Sequence, residues 1–240
     1  MEESLKVGEK MKKTVGIIGG MGPDATVDLF SKIVKYTDAN SDQENIHLVI
    51  DNNTSIKDRS SYILNNDNSP EEELKKTALK LQGYGVDFLA MPCNTAHYFY
   101  DSIQQSLNIP IINMIEETAI YVKKNHKGKT HILLSTEGTY KSNIYKENFK
   151  KYNLDIIYPN KKQKKVFMKS IYNFKASESI DFVELQNTLK SLYNKNTLFI
   201  LGCTELPLIF NKNKIKYSYI DSTKILAKAV IKKANYKVKK

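Results

Sequence analysis

Two stretches of this 240-residue chain echo one another: VDFLAMPCNTAH at 86–97 and NTLFILGCTELP at 196–207. Each is an apolar, β-prone run that ends on a cysteine and continues through polar residues into a helix-like segment, and Cys93 and Cys203 are the only cysteines in the chain. Free cysteine is often a small buried hydrophobe and nothing more. Asn94-Thr95 and Thr204-Glu205 argue otherwise, because they set hydrogen-bonding groups beside the thiols where a core position would have apolar ones. A thiol at the start of a helix is also expected to lose its proton more readily than a free one, so both are read as groups that do chemistry.

Several chemistries compete for such residues. A single-cysteine nucleophile with His97 or Glu205 as its base would suit a hydrolase or amidase, but it leaves the second thiol unexplained. Cys93 and His97, four apart, would share a helix face, yet zinc needs three or four ligands; His47, His126 and His131 fall at no suggestive interval and there is no Cys-x-x-Cys. No metal is expected. GIIGGMGPDAT follows a strand-like run, and Gly20, Gly22 and Ala25 fit the dinucleotide pattern G-x-G-x-x-A. Pro23 in the turn and the late acid at Asp51 count against it, and the same backbone amides can receive a carboxylate.

The formal charge of +11 raises nucleic acid as a partner. The basic residues are scattered, with denser runs only at 160–165 and 237–240, and no recognition-helix, zinc-finger or aromatic RNA-binding signature accompanies them, so no nucleic acid is expected. Of 37 basic residues only Arg59 is arginine. Where plain charge suffices this chain uses lysine, so a lone Arg in a polar loop marks a place that needs a planar fork for a carboxylate or phosphate.

The elements that must position these residues follow a βαβα rhythm, which is that of a parallel sheet. Strands are expected at 14–20, 46–51, 86–92, 130–135, 154–158 and 197–202, with a weak one at 217–220. Helices fall between them, including 71–84, where Ser69, Pro70 and three acids make a good N-terminus, and 177–193, with an apolar stripe at Ile180, Val183, Leu185, Leu189 and Leu192. The rhythm restarts near residue 113. The fold class is therefore α/β, two similar halves with parallel sheets and the active site in the cleft between them: 1–115 with the C-terminal helical segment 215–240, and 116–214. Ligands bind beyond the carboxyl ends of parallel strands, so both thiols can reach one cleft. Composition is that of a folded globular protein, with 41% hydrophobic and 26% charged residues. The N-terminus lacks an apolar signal segment and no run is long enough to span a bilayer, so a cytoplasmic protein with reduced thiols and no membrane partner is expected.

GIIGGMGP, DRS (58–60), MPCNTAH and GCTELPLI resemble, in order and over nearly the whole chain, the motifs of the aspartate/glutamate racemase superfamily, and within it the aspartate racemase branch. Glutamate racemases usually carry His after the second Cys-Thr, where this chain has Glu205. The resemblance implies a cofactor-independent amino-acid racemase, without pyridoxal phosphate, in which Cys93 and Cys203 flank the substrate Cα as thiolate and thiol. It implies that Asn94, Thr95, the backbone of Ala96, and Thr204 bind the α-carboxylate or ammonium, that Met21 lines the pocket, and that Arg59 and Lys175 grip the side-chain carboxylate of aspartate. STEGT (135–139) resembles a further pocket-lining loop. A homodimer is implied. Glutamate or broad-specificity racemases, hydantoin racemases, maleate isomerases and arylmalonate decarboxylases share the layout. A ligand-binding protein without turnover would keep the same cleft.

Overall fold

Val15–Gly19 is apolar or glycine at every position and wholly buried, as the central strand of a parallel sheet must be. The computed structural model describes residues 11–239; the first ten residues, on which the reading of the N-terminus mostly rests, and Lys240 of the basic tail lie outside the described residues. The first half runs β1 (Val15–Gly19), α1 (Pro23–Tyr36), β2 (Leu48–Asn52), α2 (Arg59–Asn65), α3 (Glu71–Gly83), β3 (Phe88–Ala90), α4 (Tyr100–Gln105) and β4 (Ile111–Ile112). Its strands are all parallel, in the spatial order β2-β1-β3-β4, with Val15 facing Leu48 on one side and Phe88 on the other.

The second half follows with α5 (Met114–Asn125), β5 (Thr130–Leu134), α6 (Glu137–Ser142), α7 (Ile144–Lys151), α8 (Lys161–Lys175), α9 (Phe182–Leu192), β6 (Thr197–Leu201), α10 (Glu205–Lys212) and β7 (Tyr219–Asp221), and the last helix is α11 (Ser222–Lys233). The strands are again parallel, in the order β5-β6-β7, and Ile157 makes a single parallel bridge to Ile132 on the free side of β5. The order Ile157, β5, β6, β7 thus repeats β2, β1, β3, β4. Cys93 follows the third strand of the first set and Cys203 the corresponding strand of the second, which explains the echo in the sequence. The fold is α/β, with two similar parallel-sheet halves.

Several details differ from expectation, and α9 begins only at Phe182, with Val183 exposed. Residues 154–158 do not form a strand. Leu154 and Ile156 are buried, but Ile157 makes the only bridge, and Pro159, which has no N–H to offer, ends the pairing before the cap of α8 at Asn160. The two-residue β4 has too little length to stand out in the sequence. The return to the first half comes after Asp221 rather than at 215: Ile220 is buried in the second core, and β7 pairs with β6. Only then does α11 cross back and put Leu226, Ala227, Val230 and Ile231 into one cluster with Val15, Ile17 and Phe88. Burial of each large side chain there contributes roughly 1.5–3 kcal/mol, so the first half is incomplete without the end of the chain. Among the described residues no helix is long and apolar enough to cross a membrane.

Candidate active site

The carboxyl ends of the two sheets face each other across a narrow, nearly closed pocket. Met21, Arg59, Cys93, Asn94 and Thr95 line it from the first half, and Lys175, Cys203 and Thr204 from the second. Both cysteines therefore open on one space. Ala96 does not line it. It is fully buried one residue further into the turn Thr95–Phe99, its side chain packed in the core with Met91 and Phe99. Asp58, Ser60, Thr136 and Glu205 complete the lining. The first two belong to the DRS motif and Thr136 to STEGT, but no local pattern told which hydroxyl would face inward.

Arg59 is not in a loop. It is the first residue of α2, capped by Asp58, whose carboxylate accepts from Ser61 N–H at 2.7 Å. Its guanidinium is buried and mostly committed to backbone: Nη1 donates to the carbonyls of Lys57 (2.9 Å) and Ile56 (3.3 Å), Nη2 to that of Met21 (2.9 Å). Only Nε, buried, has no partner. Burial works against the charge, but Cys93 and Asp58 beside it carry the pKa above the ordinary arginine value. The fork read from the sequence thus clamps the turn after β1 and keeps one N–H for a ligand.

Asn94 and Thr95 are similarly engaged. Tyr145 donates to Asn94 Oδ1 at 2.6 Å, and Asn94 Nδ2 donates to Ser222 Oγ, which donates onward to the Leu201 carbonyl. Thr95 Oγ1 shares hydrogen bonds with Thr136 (3.1 Å) and Thr139 (2.8 Å), and Ser60 adds its own to Thr136 (3.2 Å). These buried hydroxyls and amides are mutual struts between the halves. Arg59 Nε, without a partner in the protein, and the Cys93 sulfur belong to the same pocket.

Lys175, the last residue of α8, places Nζ 3.5 Å from Glu205 Oε1 and over the ring of Tyr172. Loss of water around Nζ opposes its charge, and Glu205 foremost, with the sulfurs wherever they are ionised, overcomes that and raises the pKa above the ordinary lysine value. Glu205 opens α10, is 2% exposed, and accepts through Oε2 from Cys203 Sγ (2.9 Å) and Thr204 Oγ1 (3.2 Å). The expected lowering at Cys203 is thereby reversed: burial first, and then the Glu205 carboxylate, push this thiol well above its ordinary pKa, against the pull of Lys175. The start of a helix does not overcome a carboxylate in hydrogen-bond contact.

His97 is not a metal ligand or a thiol base here. Its Nδ1 pairs with the Cys93 carbonyl at 2.9 Å and its Nε2 accepts from Met114 N–H at 3.1 Å. Both ring nitrogens are spent on backbone. Gly20 also has a structural assignment: at φ +90°, an added Cβ would lie 2.3 Å from the Asn53 carbonyl oxygen, so the glycine answers to the end of β2 and not to a pyrophosphate.

Two facing parallel-sheet halves, with one thiol from each opening on a shared pocket, make a site for a small molecule held between them. The chain belongs to the Asp/Glu/Hydantoin racemase family, whose family model matches residues 18–230. It is 34% identical to the Picrophilus torridus aspartate racemase, with a TM-score of 0.81 over 95% of this chain and 96% of that one. It is 30% identical over 227 residues to the broad specificity amino-acid racemase RacX of Bacillus subtilis (strain 168), covering 90% of this chain and 96% of that protein. The glutamate racemase of Aquifex pyrophilus, at 20% identity and a TM-score of 0.63 over 91% of this chain and 83% of that one, shares the fold. The protein is thus an amino-acid racemase, an isomerase.

Proposed function

We propose that the protein interconverts L- and D-aspartate by two-base proton transfer between Cys93 and Cys203, without pyridoxal phosphate. The observation that carries this reading is that both sulfurs, one from each half, open on the same pocket as Arg59 and Lys175. One sulfur, as thiolate, takes the Cα proton, and the electron pair left behind spreads into the α-carboxylate. The other, as thiol, gives its proton to the opposite face, and the amino acid leaves inverted with the two sulfurs exchanged in charge. The buried Arg59 Nε–H and the Lys175 ammonium offer two cationic donors for a substrate that carries two carboxylates. In a pocket that excludes water such donors are worth far more than in solvent.

The test is incubation with L-aspartate in heavy water, without added pyridoxal phosphate, following D-aspartate and Cα deuterium together. Both should appear. Folded protein that exchanges neither aspartate nor glutamate removes the substrate assignment, and exchange that survives Cys93→Ser at full rate removes the assigned base. Similarity to a broad specificity racemase favours a second reading, in which the dicarboxylate is one substrate of several. An alanine kcat/KM within about tenfold of that for aspartate, a difference of about 1.4 kcal/mol, would select it.

A further inference from the structure

The two thiols are equally buried, at 5% exposure for Cys93 and 6% for Cys203, but their neighbours have opposite charge. Cys203 Sγ donates to Glu205 Oε2. Cys93 has the Arg59 guanidinium beside it. His97, four residues on, has both ring nitrogens engaged by backbone groups. We propose that Glu205 is a positioning residue that keeps the proton on Cys203, so that the empty enzyme rests with Cys93 as the proton acceptor and Cys203 as the proton donor. This rests on the two-base reading and adds to it the assignment of starting states.

A carboxylate accepting an S–H hydrogen bond stabilises the protonated sulfur, and a thiolate at the same place would set two anions side by side in a site with little water to screen them. The other groups facing the pair modify this without reversing it. Lys175 reaches Glu205 from α8 through the other oxygen, Oε1, at 3.5 Å. Tyr140 on α6 and Tyr145 on α7 approach Cys203 as neutral phenols, their pKa values raised by burial. Arg59 on α2 lies beside Cys93, and the Asp58 carboxylate next to Arg59 lines the same pocket. The protons balance as follows: Cys93 takes the Cα proton, Cys203 gives its own to the opposite face, and after release the proton on Cys93 is returned through solvent to Cys203.

Because Cys93 and Cys203 are the only cysteines, protein labelled with ¹³Cβ-cysteine shows two resonances, assigned with Cys93→Ser. In pH titrations of the ligand-free protein Cys203 should keep its proton at least about tenfold more tightly than Cys93, a separation of about one pH unit. Glu205→Gln should move the Cys203 midpoint down, and Glu205→Asp, which retains the charge, should move it less. Cys93 titrating together with or above Cys203, or an unmoved Cys203 midpoint in folded Glu205→Gln, overturns the proposal. If the Glu205 variants do not fold, wild-type protein treated with iodoacetamide at pH 7 and mapped by peptide mass decides. With burial matched, Cys93 should be alkylated at least about tenfold faster, and equal rates or faster reaction at Cys203 overturn the assignment. None of these readouts uses aspartate, so they stand or fall separately from the deuterium experiment.

Discussion

The hydroxyl of Tyr172 on α8 lies 3.1 and 3.0 Å from the two carboxylate oxygens of Asp58, the cap of α2 on the other side of the cleft. This contact joins the halves directly beside the pocket, because Arg59 follows Asp58 and Lys175 lies one turn beyond Tyr172 on α8. Tyr172→Phe removes a hydrogen bond to a charged group, an effect of about 1.5–3 kcal/mol where the partner stays buried. The variant should unfold at lower urea and bind aspartate with a raised KM. An unchanged KM would show that the latch stabilises the fold without holding the site.

Gly138 sets the distance between the halves at a second point. A Cβ there would lie 2.7 Å from Ser60 Cα, and backbone cannot give way as a flexible side chain would. Gly138→Ala should push α6 from α2, at a cost of about 1–3 kcal/mol, and stretch the Ser60–Thr136 hydrogen bond. Urea unfolding gives the first quantity. Catalytic efficiency should fall further than stability alone explains, since under the proposed two-base transfer both thiols must reach one Cα.

Arg59→Lys tests a residue with two duties. Lysine keeps the charge but cannot supply Nη contacts to Met21, Ile56 and Lys57 while offering an N–H to the pocket. Losing charged hydrogen bonds of this kind should cost about 1.5–3 kcal/mol, with both melting temperature and kcat/KM reduced. A fall in kcat/KM with unchanged melting temperature would mean that the backbone clamp contributes nothing to the fold.

Acid should weaken the fold through His97. Burial lowers its pKa to about 4, so between there and the ordinary histidine value the unfolded chain binds a proton that the native protein refuses. Stability contributed by the neutral ring is complete above about pH 6.5 and is lost as pH falls towards 4, up to about 3 kcal/mol. Urea unfolding between pH 7 and 5 should show this slope in wild-type protein, and His97→Asn should flatten it.

The chain alone shows the alternation of apolar runs and helices, the placing of two thiols after matching strands, and the single arginine. These are legible because strand and helix periodicities are local, and because a residue type used once is conspicuous in one dimension. What each thiol experiences is not local. The Asp58–Tyr172 contact spans 114 positions and the Asn94–Ser222 bond 128, and no spacing rule connects such residues. Glu205 is only two residues from Cys203, yet the sequence suggests a lowered thiol pKa there, because the depth of burial and the direction of one carboxylate depend on how the two halves close on each other. For the same reason Asn94 and Thr95, which read as substrate ligands, also serve as struts across the cleft while they line the pocket. Periodicity and residue type determined the fold class and the chemistry available to it; packing between distant segments decided which polar groups remain free to use it.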